Sequence, residues 1–411
     1  MGKNRPKGGF LGGFDQLRAP DAPTISVTAG DTQLSVAFTN PLDVGGGAIS
    51  SYTATAIASG VSTGATSSSS PVTITGLTNG TSYSVTGLAN NAFGSSPYSA
   101  ATSGTPALQR GLFAGGYTSA GSGVTDTINY ITITTTSNTT DFGDLSVARY
   151  GHSALASGTR GVFVGGDEGG SIIDKMEYVT IASTGNTTDF GDLSVARWLG
   201  SATSNSTRGL TFPGQVATGT GYVDVIDYVT IASTGNATDF GDTSYFGSTM
   251  ASVSSSTRAV IGGGYQYAVG TINIIEYVTI GSTGNTTDFG DLVGTNRQIA
   301  NGNISSGTRG VFAGGNTGSA SNVIQYITIA STGNATDFGD LTVARQYGAC
   351  CGSTTRGVIA GGVSVLITAG MEYITIASTG NGTDFGDLPS EGGSNTLYAF
   401  PGCSAAHGGL S

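Results

Sequence analysis

The sequence predicts an all-β chain: a sandwich of short strands followed by a ring of six four-stranded sheets. Three observations predict it. Glycine supplies 69 of 411 residues and charged residues only 10%, against roughly 7% and 25% in ordinary domains. The filler is Ser, Thr, Gly, Ala and Asn, which favours strands and turns over helix. Residues 19–107 alternate apolar and polar in short runs, and residues 108–411 repeat themselves about every 49 residues. No run approaches the roughly 18–20 apolar residues of a membrane helix, and GGFLGGF is too short and glycine-rich for the apolar core of a secretory signal. Neither membrane insertion nor secretion is expected.

The formal net charge is −11. Residues 1–18 carry Lys3, Arg5, Lys7 and Arg18 against Asp15, a net of +3, so the remainder holds −14. An acidic body repels phosphates, which disfavours nucleic acid as a partner. The basic arm, with Phe10, Leu11 and Phe14 as apolar pegs, is expected to anchor the chain; a solvated tail is the alternative. Cys350, Cys351 and Cys403 are an odd set with an adjacent pair, read as buried free thiols of a protein made in a reducing cytoplasm. The two histidines, His152 and His407, cannot build repeated zinc sites, and no metal or cofactor is expected.

In residues 19–107, strands are predicted at 24–27, 33–38, 50–56, 72–75 and 82–88, with turns at DVGGG, TNG and NNAFG. About seven strands in 90 residues make a sandwich. Pro20 and Pro23 open it. Leu34, Val36 and Phe38 lie on the strand at 33–38, and Tyr52 stands on the next strand. The run GLTNGTSYSVTGLANNAFGSSPYS resembles the fibronectin type III family. That resemblance implies a tyrosine corner at Leu77 and Tyr83, and a spacer or docking role.

In residues 108–411 a tyrosine phrase starts at Tyr130, Tyr178, Tyr228, Tyr277, Tyr326 and Tyr373, and an arginine phrase at Arg110, Arg160, Arg208, Arg258, Arg309 and Arg356. Four strands fit each repeat, in the second GHSALAS, GVFVGG, MEYVTIAS and TDFGDL. Six such units predict a six-bladed β-propeller. The order ARYGHSALASGTRGVFVGG, MEYVTI, TTDFGDL resembles the kelch repeat, with Phe190 where that family has Trp. The first repeat lacks a first strand, and residues 395–406 are predicted to return and supply it.

What occurs six times is read as architecture. DFGD spells a kinase magnesium motif, yet no glycine-rich loop or catalytic loop accompanies it; it also loosely resembles a sialidase Asp box without the closing Thr-Trp. Asp189 and Asp192 are expected to accept backbone bonds in a tight turn. Arg160 and its equivalents are expected to pair with them between repeats, a ring of arginines for ligand capture being the alternative. Tyr178 is structural. The Asn-x-Thr phrases at Asn186, Asn236 and Asn334 spell glycosylation sequons but are read as turn residues.

Antiparallel strands put the 1–2 and 3–4 links on one face and the 2–3 and 4–1 links on the other. The first pair is uniform and the second varies. The candidate ligand face therefore holds Tyr117, Asp167, Glu168, Tyr222, Tyr265 and Tyr267 from the 2–3 links. Tyr150, Trp198, Tyr245 with Phe246, Arg297 and Tyr347 join it from the 4–1 links. Variable loops on a rigid scaffold are where binding sits, and aromatics suit carbohydrate or protein; unconstrained drift is the alternative. No phosphate loop or Ser-His-Asp set is present. A carboxylate glycosidase would draw on Asp167, Glu168, Asp224 or Asp227, but the expectation is a non-enzymatic protein.

The repeat phrase, with EYVTIASTGNATDFGDLxVAR and SSTRGVFAGG, also resembles repeats of tail-fibre-like structural proteins of tailed phages, particularly cyanophages. That resemblance implies a virion protein made in the host cytoplasm and partnered by capsid, tail or baseplate proteins. It would display the propeller for adhesion to a host glycan or receptor. The alternative is a decoration or cementing protein.

Overall fold

The computed structural model describes residues 17–118, 123–217, 221–364, 368–389 and 397–410. The chain divides into two compact units, one ending at Ala107 and the next starting at Leu108. Among the described residues the structure is all-β, with a single 3-10 turn at Gly408–Leu410.

The first unit is two sheets face to face. Thr24–Gly30, Gln33–Thr39 and Val72–Thr75 form one. Val61–Ser67, Ser51–Ala58 and Tyr83–Asn91 form the other, with Gly94–Ser95 and Thr102–Gly104 along its margin. Alternation places Leu34, Val36, Ala54, Ala56, Ile74 and Val85 at zero exposure between the sheets, as a period of two demands. The strand Val61–Ser67 was not among those expected. Its sequence VSTGATS has no apolar alternation because it is an edge that packs little. The Tyr83 hydroxyl accepts from Thr78 N at 3.1 Å, fastening the strand to its upstream loop.

In the second unit each repeat makes an antiparallel meander. The second repeat runs Ser153–Ala156, Arg160–Val164, Lys175–Thr180, Thr188–Asp192. The third, fourth and sixth follow the same order. The fifth departs: Asn301–Gly302, in a stretch without apolar alternation, pairs in parallel with Ala349–Gly352 of the sixth. In the first repeat the strand beside Arg110–Ala114 is Gly402–Ser404 from the far end of the sequence. Each sheet is open, and the repeats are joined by side chains, by turns and by backbone bonds between their first strands.

Two sets of bonds join each repeat to the next. The Nη1 atoms of Arg110, Arg160, Arg208, Arg258 and Arg309 donate to Ile181, Ile231, Ile280, Ile329 and Ile376 carbonyls, and that of Arg356 returns to Ile133, all at 2.8–3.1 Å. Each guanidinium also lies 4.1–4.5 Å from the ring centre of its own repeat's tyrosine. This overturns the expected arginine–aspartate pairing. Arg160 and Tyr178 are diagonal neighbours across adjacent strands, so the cation settles on the ring and its free nitrogen reaches forward. Tyr178 in turn packs edge-on against Phe190, 6.0 Å between centres.

Asp189 and Asp192 lie not in a tight turn but on the outermost strand, where Asp189 is exposed. The turn before the next repeat's fourth strand clasps that edge: Gly235 N donates to Phe190 O and Ala237 N to Asp192 O, and Asp192 N donates to Asn236 Oδ1 at 3.1 Å. The same asparagine bond occurs six times, the last from Asp387 N to Asn138. Asn186 and its equivalents are therefore inter-repeat caps for strand edges that would otherwise invite pairing. Gly191 is required here, since a Cβ would stand 2.4 Å from Gly235 O.

A third cyclic set lies where each first strand begins. Gly151, Leu199, Thr249, Gln298, Tyr347 and Ala399 all have left-handed φ between +54° and +62°. Leu199 N donates to Gly151 O, Thr249 N to Leu199 O, Gln298 N to Thr249 O, Tyr347 N to Gln298 O, Ala399 N to Tyr347 O and Gly151 N to Ala399 O, at 2.6–2.9 Å. Six peptides thus form a closed hydrogen-bonded ring. It offsets a left-handed cost of about 1–2 kcal/mol at each non-glycine member. At the far end of the first strands, Gly408 N donates to Ser305 O and Asn303 Nδ2 meets His407 Nδ1 at 3.0 Å, so the C-terminal residues are packed into the interior. The three cysteines are buried and free, and burial raises each thiol, Cys403 to about 12.

Candidate functional site

The residue before each member of the peptide ring is the structural key to the variable face. Those residues are Tyr150, Trp198, Ser248, Arg297, Gln346 and Tyr398. Each is held by antiparallel backbone pairing to a 2–3 link: Tyr150 to Asp167, Trp198 to Gln215, Arg297 to Asn316 and Gln346 to Val363, Ser248 to Tyr265 and Tyr398 to Tyr117. Six side chains of five kinds therefore stand at one equivalent position on a backbone fixed from both sides.

The aromatics among them touch in sequence. Trp198 packs edge-on to Tyr150 at 5.4 Å, Tyr150 to Tyr117 at 5.5 Å, Tyr117 meets Tyr398 at 5.1 Å, and Tyr398 meets Tyr347 at 6.2 Å. Gln298 Nε2 donates to the Tyr347 hydroxyl at 2.6 Å. A second group has Tyr222 at 5.7 Å from both Tyr265 and Tyr267, with Arg297 5.7 Å from the Tyr265 ring centre. Burial, then the Asp167 charge, pushes the Tyr150 hydroxyl up to about 12. Burial also raises Tyr222, Tyr347 and Tyr398, so these hydroxyls are protonated donors at neutral pH. The cavity at the peptide ring measures about 30 Å3, room for about one water. It has no room for a larger group.

Three predicted face residues do not offer their side chains to the face. Tyr245 is 4% exposed and its hydroxyl donates to Gly263 O. The equivalent carbonyls take Asn296 Nδ2 at Gly314 and Arg345 Nη1 at Gly361. Tyr245 thus fills the space of an interior arginine, and its neighbour Phe246 is the exposed one. Asp167 is 3% exposed and its Oδ1 accepts from Gly169 N and Gly170 N, closing a turn on which Glu168 is exposed. Asp227 is fully buried against Arg197 at 2.8 Å, so it is not a carboxylate of the face.

Asp227 belongs to an interior set that sequence reasoning missed. Arg149 pairs with Glu177 at 3.0 Å and Arg345 with Glu372, all nearly fully buried. Burial lowers Arg149 to about 10 against the pull of Glu177. For Glu177 burial acts upward, but the Ser146 hydroxyl and the Arg149 and Lys175 cations outweigh it and hold the carboxyl low. The signal was partial internal covariation: Glu177, Asp227 and Glu372 before the repeat tyrosine have their arginine in VAR. Where that arginine is missing, the fifth repeat has Asn296 with Gln325 while the fourth keeps Glu276, which accepts from Thr286 Oγ1 at 2.9 Å. Tyr398 was missed as well, because its role appears only once the C-terminal segment returns.

The profile of the fibronectin type III domain family matches residues 18–105. This segment is a fibronectin type III domain. Comparison with curated proteins finds no match for the chain. The fibronectin type III domain includes Arg18, whose N donates to Gly45 O and whose guanidinium pairs with Asp21 and Asp43. Arg18 therefore is spent within the domain and is not a free anchoring cation. Lys3, Arg5, Lys7, Phe10, Leu11 and Phe14 lie outside the described residues.

Proposed function

We propose that the second unit is a six-bladed, kelch-like β-propeller, and that the chain is a non-enzymatic adhesin on the virion of a tailed phage. The three cyclic bond sets, each returning from the sixth repeat to the first, support the propeller. The observation that carries adhesion is the six-position ring. Its backbone is pinned identically six times, yet five part-exposed positions present Tyr, Trp, Arg, Gln and Tyr, with Ser248 buried as the sixth. Drift alone does not assemble five aromatic rings from four repeats and the C-terminus into one connected group. The repeat phrase supports the virion setting, and the fibronectin type III domain serves as spacer.

The test is adsorption. Purified chain carrying Tyr150→Ala, Trp198→Ala and Tyr398→Ala is compared with Tyr98→Ala, an exposed residue of the first unit, for binding to host cells. The reading expects loss of binding in the triple variant alone. Equal binding by both refutes adhesion through this face and leaves decoration of the particle, which immunolabelling over capsid or tail would identify.

A further inference from the structure

Arg297 is the cation this face does not use. Among the described residues every other lysine and arginine side chain makes a hydrogen bond or an ion pair; Arg297 makes neither, and its Nε is buried without a partner. The chain carries a net −11, so a carboxylate would be easy to supply, yet no described carboxylate is within pairing distance. A buried unpaired donor costs free energy unless a ligand satisfies it. The surroundings are aromatic: Tyr265 under the guanidinium, Tyr222 beside it with ring planes 32° apart, and Tyr267, half exposed, beyond. The side chain is fixed at its base by the Arg297–Asn316 backbone bonds.

We infer that the Arg297 sector is an anion subsite for an acidic saccharide, a sugar bearing a carboxylate or a sulfate ester. This rests on the adhesive reading of the face. A guanidinium offers a planar fork that matches either oxyanion bidentately. The tilted tyrosines form a shallow shelf on which a sugar ring stacks, with the Asn316 and Gln346 amides nearby for hydroxyls.

The experiment titrates the full chain with oligogalacturonate, dextran sulfate and neutral dextran, and compares wild type, Arg297→Lys and Arg297→Gln. Expected is binding of one charged saccharide, roughly tenfold or more weaker in the glutamine variant and intermediate in the lysine variant, which keeps charge but loses the fork. Which probe binds separates carboxylate from sulfate. Equal binding by wild type and Arg297→Gln, or no binding of either charged probe, overturns the subsite. If the aromatic triple variant still loses adsorption, the adhesive face survives that failure. Poly-glutamate bound as tightly as either saccharide overturns the sugar assignment in favour of an acidic protein.

Discussion

Phe400 is the side chain through which the C-terminal segment supports the whole second unit. It has no exposure, and its ring meets Phe113 edge-on at 6.1 Å. It also precedes Gly402–Ser404, the strand paired to Arg110–Ala114. Phe400→Ala removes a buried ring from a packed core, which costs about 3–5 kcal/mol. With a urea slope of about 3 kcal/mol per molar, the midpoint should fall by roughly 1–1.7 M. Trp198 is the only tryptophan, so its fluorescence follows the second unit without the fibronectin type III domain. Phe246→Ala is the control, since that ring is 51% exposed and its loss should stay within about 0.5 kcal/mol. A Phe400→Ala midpoint equal to the control's would refute an integral C-terminal strand. Truncation after Leu388 removes Leu397, Phe400 and both bonds of Ala399 in the peptide ring, and should abolish the cooperative transition.

Arg149→Met should destabilise by about 3 kcal/mol, since it removes the buried cation beside Glu177 and leaves the partly exposed Lys175 as that carboxylate's one ion-pair partner. The double change Arg149→Asn, Glu177→Gln, copied from Asn296 and Gln325 of the fifth repeat, should recover most of that in the same urea assay. Burial lowers His407 to about 4, so below its unfolded value near 6.5 the unfolded chain binds more protons. Stability is therefore full above pH 6.5 and falls by up to about 3 kcal/mol toward pH 4. His407→Gln should flatten part of that slope, the rest coming from His152, and a midpoint equal at pH 7 and 4.5 would contradict it. Tyr83→Phe should cost the fibronectin type III domain about 1 kcal/mol through the lost bond to Thr78 N, read as a lower calorimetric transition for that domain alone.

The repeats were legible because their signal is chemical and periodic: Arg160, Tyr178 and Phe190 recur at fixed spacing, and their burial follows strand alternation. The peptide ring was not. Leu199, Thr249, Gln298, Tyr347 and Ala399 adopt a backbone that residue type does not announce, since they are held there by bonds across repeats and not by glycine freedom. Tyr245 misled for a related reason. An aromatic in a variable link reads as surface, and only the three-dimensional equivalence with Arg345 shows it filling an interior slot. Asp167 likewise spends its carboxylate on its own turn, a local bond that competes with any ligand.

The peptide ring explains how one face can vary while the unit stays whole. Its bonds run between backbone atoms, so they do not depend on the side chain one residue earlier. Tyr150, Trp198, Arg297 and Tyr398 can each be exchanged without touching a carbonyl or amide of the ring. The uniform face has no such freedom, because Arg160 reaches the Ile231 carbonyl and Asn236 caps Asp192 with side chains, and a substitution there removes the bond itself. Interior arginines draw the boundary between the two regimes. Where Arg149, Arg197 and Arg345 hold a buried acid, the link beside them is constrained in two residues at once; where the fourth repeat lacks one, Tyr245 enters and Phe246 is left exposed. Variation on this face should therefore accumulate first at the five part-exposed ring-preceding positions. Ser248 is the exception, since it is 3% exposed: Trp there should cost about 1–3 kcal/mol by overpacking. Gln346→Tyr, at a part-exposed position, should instead extend the aromatic surface with stability unchanged within about 0.5 kcal/mol in the urea assay; a loss of several kcal/mol in Gln346→Tyr would show that these positions are structural after all.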